Sequence, residues 1–351
     1  MTTPSARQSA PPVKHLDLAP VMIIGHGSSG TSISGQLIRE LLKISFGTES
    51  QFIPRYYHRL VRYGDLAENR NLRRLITDIL DERWFQRCRK FGFETNIDAI
   101  LADVVQPTYR AVLESVFRQL AKHNHMERWG DKTPEYIHHL PVLKAVFPDA
   151  YYIHIVRDGR DVALSVFDRF WGAKNIVTAA LEWRDAVERV REFSKTIDAS
   201  HFLEFRYEDL LTQPGETFAK MLTFLKVDEG DGRLLEHIEA EARAELKSTN
   251  FNKWKTALSP KQQLAFDRIN GDLLAEYGYE TKTRDVRQVG SLETALWAAD
   301  SRVRQWGRLD YWKDDVYKLE LRTKELLRNV GITPTRPPTA ASQHRDVGAG
   351  I

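Results

Sequence analysis

Ten residues, Ile23-Ile24-Gly25-His26-Gly27-Ser28-Ser29-Gly30-Thr31-Ser32, do most to limit what this chain can become. They pass from an apolar run through a glycine loop into a helical pattern, an arrangement in which successive backbone N–H groups and a helix N-terminus face one anion. Glycine lets the backbone come close to a phosphate and adopt dihedrals that other residues avoid. A tight turn with Ser or Thr caps is the plainer reading, but three glycines and four hydroxyls in eight residues exceed what a cap requires. The spacing Gly25-x4-Gly30 matches a Walker loop, yet Thr31 stands where an NTPase needs lysine on the β- and γ-phosphates, which disfavours ATP chemistry. The same residues satisfy G-x-G-x-x-G, but no acidic residue about 20 positions on is convincing as a ribose ligand.

Two apolar runs, Ala19–Ile24 and Ala150–Val156, read as buried parallel strands, and Phe202–Phe205 as a shorter third. Helical patterns follow each: Thr31–Leu42, Asp161–Phe167 and Gln213–Leu225. This alternation is that of a parallel sheet covered by helices. Asp65 to His125 reads as a mostly helical insertion with Pro107 as its breaker, and Ser291 to Asn329 as an amphipathic helical appendage. The expected division is a disordered tail over 1–17, one α/β domain over 18–282, a C-terminal helical extension over 283–332 and a second disordered tail over 333–351.

The 351 residues suffice for a full core. Lys and Arg number 51 against 48 Asp and Glu, and the net charge of +3 is too small a field for a nucleic-acid-binding surface. Cys88 is the only cysteine, which excludes a disulfide framework and a cysteine-based zinc site and fits a reducing compartment. No apolar run reaches membrane-spanning length, and the first residues contain no apolar h-region. The expectation is a cytoplasmic protein without an integral membrane segment.

A second polar element follows the second strand: Val156-Arg157-Asp158-Gly159-Arg160-Asp161-Val162-Ala163-Leu164-Ser165. Arg157 at the strand end and Ser165 on the next helix can converge on one phosphate, with Asp158 and Asp161 as helix caps. The alternative is that Arg157 only pairs with Asp158 or Asp161 at a strand edge.

Taken together, the strand–GSSGTS–helix start, VRDGRDVALS, Phe205-Arg206-Tyr207-Glu208-Asp209-Leu210-Leu211 and Gly130-Asp131-Lys132-Thr133-Pro134 resemble the sulfotransferase superfamily, nearest to its bacterial and Golgi branches. The resemblance implies a three-layer P-loop-like α/β fold and transfer of a sulfuryl group from 3′-phosphoadenosine-5′-phosphosulfate (PAPS) to a hydroxyl or amine. It also implies that Gly27, Ser28, Ser29, Gly30, Thr31 and Ser32 hold the 5′-phosphosulfate, Arg157 and Ser165 the 3′-phosphate, and Tyr207 the adenosine side. Lys253 and Lys255, in Asn252-Lys253-Trp254-Lys255, are similar to the basic loop that closes over the donor in this family, although an ordinary solvated loop would read the same. Sulfuryl transfer moves a less charged group than phosphoryl transfer and uses no bridging magnesium, so no metal is expected.

The chain departs from the family at Ser28, where most members carry Arg or Lys to stabilise the leaving oxygen. Lys132 is the first candidate to supply that charge, and His26, which can protonate near neutral pH, the second. The general base expected after the first helix is Glu49, with His58, Glu94 and His125 as fallbacks; Glu40 belongs to the helix pattern. Phe52, Tyr56, Tyr57 and Tyr63, interleaved with Arg55, Arg59 and Arg62, suit either an acceptor pocket or helix packing. The rival readings are a P-loop nucleotide kinase or NTPase and a degenerate nucleotide-binding scaffold. Carbohydrate, small alcohol or phenol, lipid and peptide tyrosine all stay open as acceptors, and no oligomeric state is implied.

Overall fold

The two apolar runs lie side by side in the middle of a five-stranded parallel sheet of order β3-β4-β2-β5-β6. β2 (Val21–Ile24) pairs with β5 (Tyr151–Val156) from Val21 opposite Tyr151 to Ile24 opposite His154. β3 (Ile44–Phe46), β4 (Arg128–Lys132) and β6 (Phe202–Arg206) complete it. The computed structural model describes residues 11–228, 230, 232–306 and 323.

Side chains alternate across β2, so Val21 and Ile23 join one core and Met22 and Ile24 the other. The first core receives Leu37, Ile38, Leu41 and Leu42 from α1 (Thr31–Leu42), which has the span the sequence predicts. The second is closed by α2 (Ile53–Tyr57), α3 (Asn69–Leu80), α4 (Arg83–Arg89), α5 (Ile97–Asp103), α6 (Tyr109–His123) and α7 (Leu140–Val146), of which α3 to α6 lie within the expected helical insertion. The layers are therefore helix, sheet, helix, as expected.

α8 (Gly159–Phe167) and α9 (Ile176–Ser194) follow β5; α10 (Tyr207–Thr212) and α11 (Pro214–Phe224) follow β6. After them come a short strand β7 (Val227–Asp228), α12 (Arg233–Glu245) and α13 (Trp254–Ala257). The chain divides into two compact units, residues 1–161 with 183–256, and 162–182 with 257–351. The first holds the sheet and both cores. In the second, α14 (Pro260–Glu276) begins with a capping box between Ser259 and Gln262. There too, α15 (Ser291–Trp306), the described part of the expected extension, is tied to residues 174–178: Lys174 N donates to Ser301 Oγ at 2.9 Å and Thr178 Oγ1 to the Trp297 carbonyl at 3.1 Å. The remainder of that extension and the 333–351 tail lie outside the described residues, apart from Thr323. No helix among the described residues is long and apolar enough to cross a membrane.

Near the N-terminus the structure departs from the expected tail. β1 (Lys14–His15) pairs antiparallel with β7, and Asp17 accepts a hydrogen bond from the Tyr151 hydroxyl at 2.8 Å. The unforeseen anchor is Arg128, fully buried at the start of β4. Its Nε donates to the Ala19 carbonyl at 2.7 Å and its Nη1 to the Leu225 carbonyl at 2.6 Å, while the guanidinium lies 4.9 Å from the Tyr151 ring centroid. It joins the leads into β2, β4, β5 and β7. Arg128→Met keeps the apolar stem but strands two buried carbonyls, so denaturant unfolding should show a loss of about 2–4 kcal/mol; a loss below about 0.5 kcal/mol would mean that water satisfies both carbonyls.

Candidate functional site

The glycine loop turns sharply between β2 and α1. At Gly25 an added Cβ would meet the Ile155 carbonyl at 2.8 Å, because the backbones of two paired strands are closest there. Gly30 has φ +89°, and the Tyr207 ring fills the place of its missing side chain: a Cβ would sit 2.3 Å from Tyr207 Cδ2. Ser28 also has positive φ, +71°. Ser29 N donates to the His26 carbonyl at 3.0 Å and closes the turn. No side chain caps α1, since Gly30 is its N-cap. The capping alternative is therefore not what is built: the helix N-terminus carries no side-chain cap.

His26 does not suit the role of leaving-group cation. Its Nδ1 donates to the Gly27 carbonyl at 2.7 Å, and burial lowers its pKa, which favours the neutral ring.

Arg157 follows β5 and is 7% exposed. Its Nη1 donates to the Ser28 carbonyl at 3.0 Å, its Nη2 to the Asn250 carbonyl at 3.1 Å, and the guanidinium lies 5.0 Å from the Tyr207 ring centroid. It does not pair with Asp158, whose carboxylate is taken by Arg160 at 2.8 Å. Asp158 Oδ1 also accepts from Arg160 N at 2.9 Å, as a cap should. The second expected cap behaves differently: Asp161 Oδ1 accepts from Trp254 N at 3.0 Å, so it caps another segment. Tyr207 receives a hydrogen bond from Asn250 Nδ2 at 3.0 Å. Lys253 and Lys255 are exposed on either side of buried Trp254. Ser165 is on α8 as expected, within the second unit.

The third group is at the other edge. Lys132 ends β4, with Nζ 2.9 Å from Glu49 Oε1 and 3.4 Å from Ser32 Oγ on the first turn of α1. The loop carrying Glu49 is fixed from α4: Arg87 Nη2 donates to the Glu49 carbonyl at 2.6 Å and Trp84 Nε1 to the Thr48 carbonyl at 2.7 Å. The first-choice cation and the first-choice base thus form an ion pair. The fallback bases lie elsewhere: His58 is exposed at the end of α2 with its ring against His139, Glu94 is exposed between α4 and α5, and His125 is exposed beyond α6. Glu40 accepts from Gln36 on α1. Phe52, Tyr56 and Tyr63 are core residues, as their contacts with Trp84, the Asp78 carbonyl and the Asp78 carboxylate show.

Sequence reasoning assigned no role to Asp131, one residue before Lys132. It is 3% exposed, and its Oδ1 has no hydrogen-bond partner. Burial pushes its carboxyl up to about 6, against the pull of Ser50, Thr133 and Lys132. Its neighbours are tightly arranged: Ser50 N donates to Thr133 Oγ1 at 2.9 Å, and Ser50 Oγ lies 2.5 Å from the Tyr136 hydroxyl. The only signal for Asp131 was its place in the Asp-Lys-Thr-Pro string.

A family model described as "Sulfotransferase family" matches residues 20–231. The omega-hydroxy-beta-dihydromenaquinone-9 sulfotransferases Stf3 of Mycobacterium bovis and Mycobacterium tuberculosis are each 26% identical to this chain over 167 residues, 43% of this chain and 41% of theirs. The match therefore spans less than half the length of those relatives. Among solved structures, the sulfotransferase domain of the Synechococcus PCC 7002 olefin synthase is 20% identical, with 78% of this chain and 99% of that one covered and a TM-score of 0.47. For mouse sulfotransferase SULT7A1 complexed with PAP the values are 14%, 76%, 87% and 0.41.

Asp131 makes a pH-dependent contribution that can be measured. Its folded pKa of about 6 lies above the unfolded value of about 3.9, so folding favours the protonated form. The resulting stability is complete below about pH 4 and is lost as pH rises through 6, a change of about 1–3 kcal/mol. Asp131→Asn removes that dependence. Urea unfolding should find the variant gaining stability on its parent between pH 4 and pH 8 by this amount; a difference that does not vary with pH would contradict the assignment.

Proposed function

Because the chain belongs to the sulfotransferase family, we propose that it transfers a sulfuryl group from PAPS to a hydroxyl-bearing acceptor, with Lys132 and Glu49 as the catalytic pair. The observation that carries this reading is the contact of Lys132 with both Glu49 and Ser32, at the mouth of a glycine loop whose helix end has no side-chain cap. Thr31, in the place of a Walker lysine, speaks against the kinase or NTPase alternative. Lys132, across the β2–β4 pairing, can stand in for the Arg or Lys that most members carry at position 28, which speaks against a scaffold without activity.

The donor's 5′-phosphosulfate lies against residues Gly27 to Ser32, its 3′-phosphate against Arg157, and its adenosine side against Tyr207. Glu49 accepts the proton of the acceptor hydroxyl as its oxygen bonds to sulfur. The bridging S–O bond breaks, its electron pair passes to the 5′-phosphate oxygen, and Lys132 offsets that charge; the products are a sulfate ester and adenosine 3′,5′-bisphosphate (PAP). The ion pair holds the Glu49 carboxylate and the Lys132 ammonium side by side, 2.9 Å apart. A lipid alcohol stands first among acceptors, since the mycobacterial relatives are named for an omega-hydroxy menaquinone. Carbohydrate and other small-molecule acceptors come second. The single, buried Cys88 is in keeping with work in the cytoplasm.

Turnover of labelled PAPS against a panel of lipid, sugar and phenolic alcohols tests the reaction. Arg157→Ala should weaken PAP about 10- to 100-fold and adenosine 5′-phosphate far less, by calorimetry; equal loss for both would remove Arg157 from the 3′-phosphate. Lys132→Ala should depress kcat much more than donor affinity, because the charge it meets develops in the transition state. Glu49→Gln should lower kcat by about 10²–10⁴ with PAP binding intact. A Glu49→Gln enzyme that keeps more than about a tenth of parent turnover, with chemistry rate-limiting, would move the search for the base elsewhere.

A further inference from the structure

The turn after β5 does more than present Arg157. Two further charged residues of the turn, Arg160 and Asp161, both engage Trp254, which sits between the two exposed lysines of the 250–255 segment. Asp161, 2% exposed, accepts the Trp254 backbone N–H at 3.0 Å through Oδ1, while its buried Oδ2 has no hydrogen-bond partner. Arg160, 1% exposed, lies 3.5 Å from the Trp254 ring centroid and is held flat by the Asp158 carboxylate through Nε at 3.0 Å and Nη2 at 2.8 Å. Arg157 adds a bond to the Asn250 carbonyl, and Asn250 bonds Tyr207.

We propose that Asp161 and Arg160 are positioning residues: they clasp the 250–255 segment against the β5–α8 turn in the donor-free protein, so that Lys253 and Lys255 are already placed for the donor's 3′-phosphate end. The inference rests on the PAPS reading for its ligand, though the clasp itself is a property of the protein alone. Arg157 reaches both the glycine loop, at the Ser28 carbonyl, and the clasped segment, at the Asn250 carbonyl. One guanidinium therefore couples the two sides of the donor site. A segment ordered before binding loses less conformational entropy on binding, which raises affinity without touching the chemical step.

The test reads the segment first without donor. In Asp161→Ala, amide hydrogen exchange over residues 250–256 should rise at least about tenfold, while Asp161→Asn, which keeps an acceptor in place, should restore most of the protection. With donor, Asp161→Ala should raise KM for PAPS and the Kd of PAP about tenfold and change kcat at saturating PAPS less than about threefold. Adenosine 5′-phosphate, which lacks the 3′-phosphate, should bind as to the parent. In a Lys253→Ala/Lys255→Ala background, Asp161→Ala should weaken PAP less than about twofold further, because the clasp acts through those lysines. Arg160→Lys, which keeps the pair with Asp158 and loses the stack on Trp254, gives a second variant should Asp161→Ala not fold, with exchange raised about threefold. Unchanged exchange in these variants, a full tenfold PAP loss in the double-lysine background, or a fall in kcat at constant KM would each overturn the proposal. If the parent fails to bind PAP, the PAPS reading falls, and the exchange measurement still decides whether the clasp exists.

Discussion

The close approach of the β2 and β5 backbones, and the glycine it imposes at the end of β2, governs the rest of the site. With the Ile155 carbonyl 2.8 Å from where a Cβ would stand, position 25 admits only glycine without displacement of the central sheet pair. Five residues later Gly30 needs a left-handed dihedral and leaves room for the Tyr207 ring. That ring in turn carries the Arg157 guanidinium, which holds the Ser28 carbonyl. The loop is thus braced from outside by an aromatic and a cation from β5 and β6. Among its own N–H groups, that of Ser29 closes the turn on the His26 carbonyl.

Ser28 is explained by the same bracing. Its backbone sits at φ +71°, outside the region most residues prefer, and its carbonyl is the acceptor for Arg157. A strained backbone held by a buried cation persists where surrounding contacts over-determine it. On the proposed reading, the charge that related loops carry on this side chain comes instead from Lys132 on the adjoining strand, which pairs with Glu49. Partial exposure of Glu49, 36%, makes the pair a modest contributor to stability, and its significance is orientation.

Most of this fold was legible in the sequence where the chemistry is uniform. β2, β5 and α1 announce themselves through unbroken apolar runs and a 3.6-residue stripe, and they occur within two residues of their expected ends. β4 was invisible as a strand because its residues, Arg-Trp-Gly-Asp-Lys, look like a turn; it is a strand because both neighbours pair with it and because Arg128 and Lys132 find partners. Gly130 is there for crowding, since a Cβ would meet the Val21 carbonyl at 2.3 Å. The Phe52–Tyr63 aromatics could be read two ways because snorkelled arginines disguise a core, and the structure places Phe52, Tyr56 and Tyr63 inside. Asp161 was misread for a different reason. An acid in the first turn of a helix usually serves that helix, and only tertiary contact reveals that it serves Trp254, far along the chain.

The five strands deliver the candidate residues in an order that itself argues for the reading. Glu49 follows β3, Lys132 ends β4, the glycine loop follows β2, Arg157 follows β5 and Tyr207 follows β6. Because the sheet order is β3-β4-β2-β5-β6, these groups lie along the carboxyl edge in the order Glu49, Lys132, glycine loop, Arg157, Tyr207. On the proposed reading, that matches the linear order of acceptor, phosphosulfate, 3′-phosphate and nucleoside. The chain reaches it by running outward from β2 to β3 and back through β4 before crossing to β5 and β6, which places the direction reversal beside the glycine loop. Parallel α/β sheets bind ligands at such a reversal, where loops diverge and leave a crevice. On the proposed reading, a donor laid across it has its reacting end toward the helical insertion and its nucleoside end toward the 250–255 segment. Acceptor choice and donor affinity would then rest on separate parts of the chain, so that the insertion could change without disturbing the grip on the nucleotide.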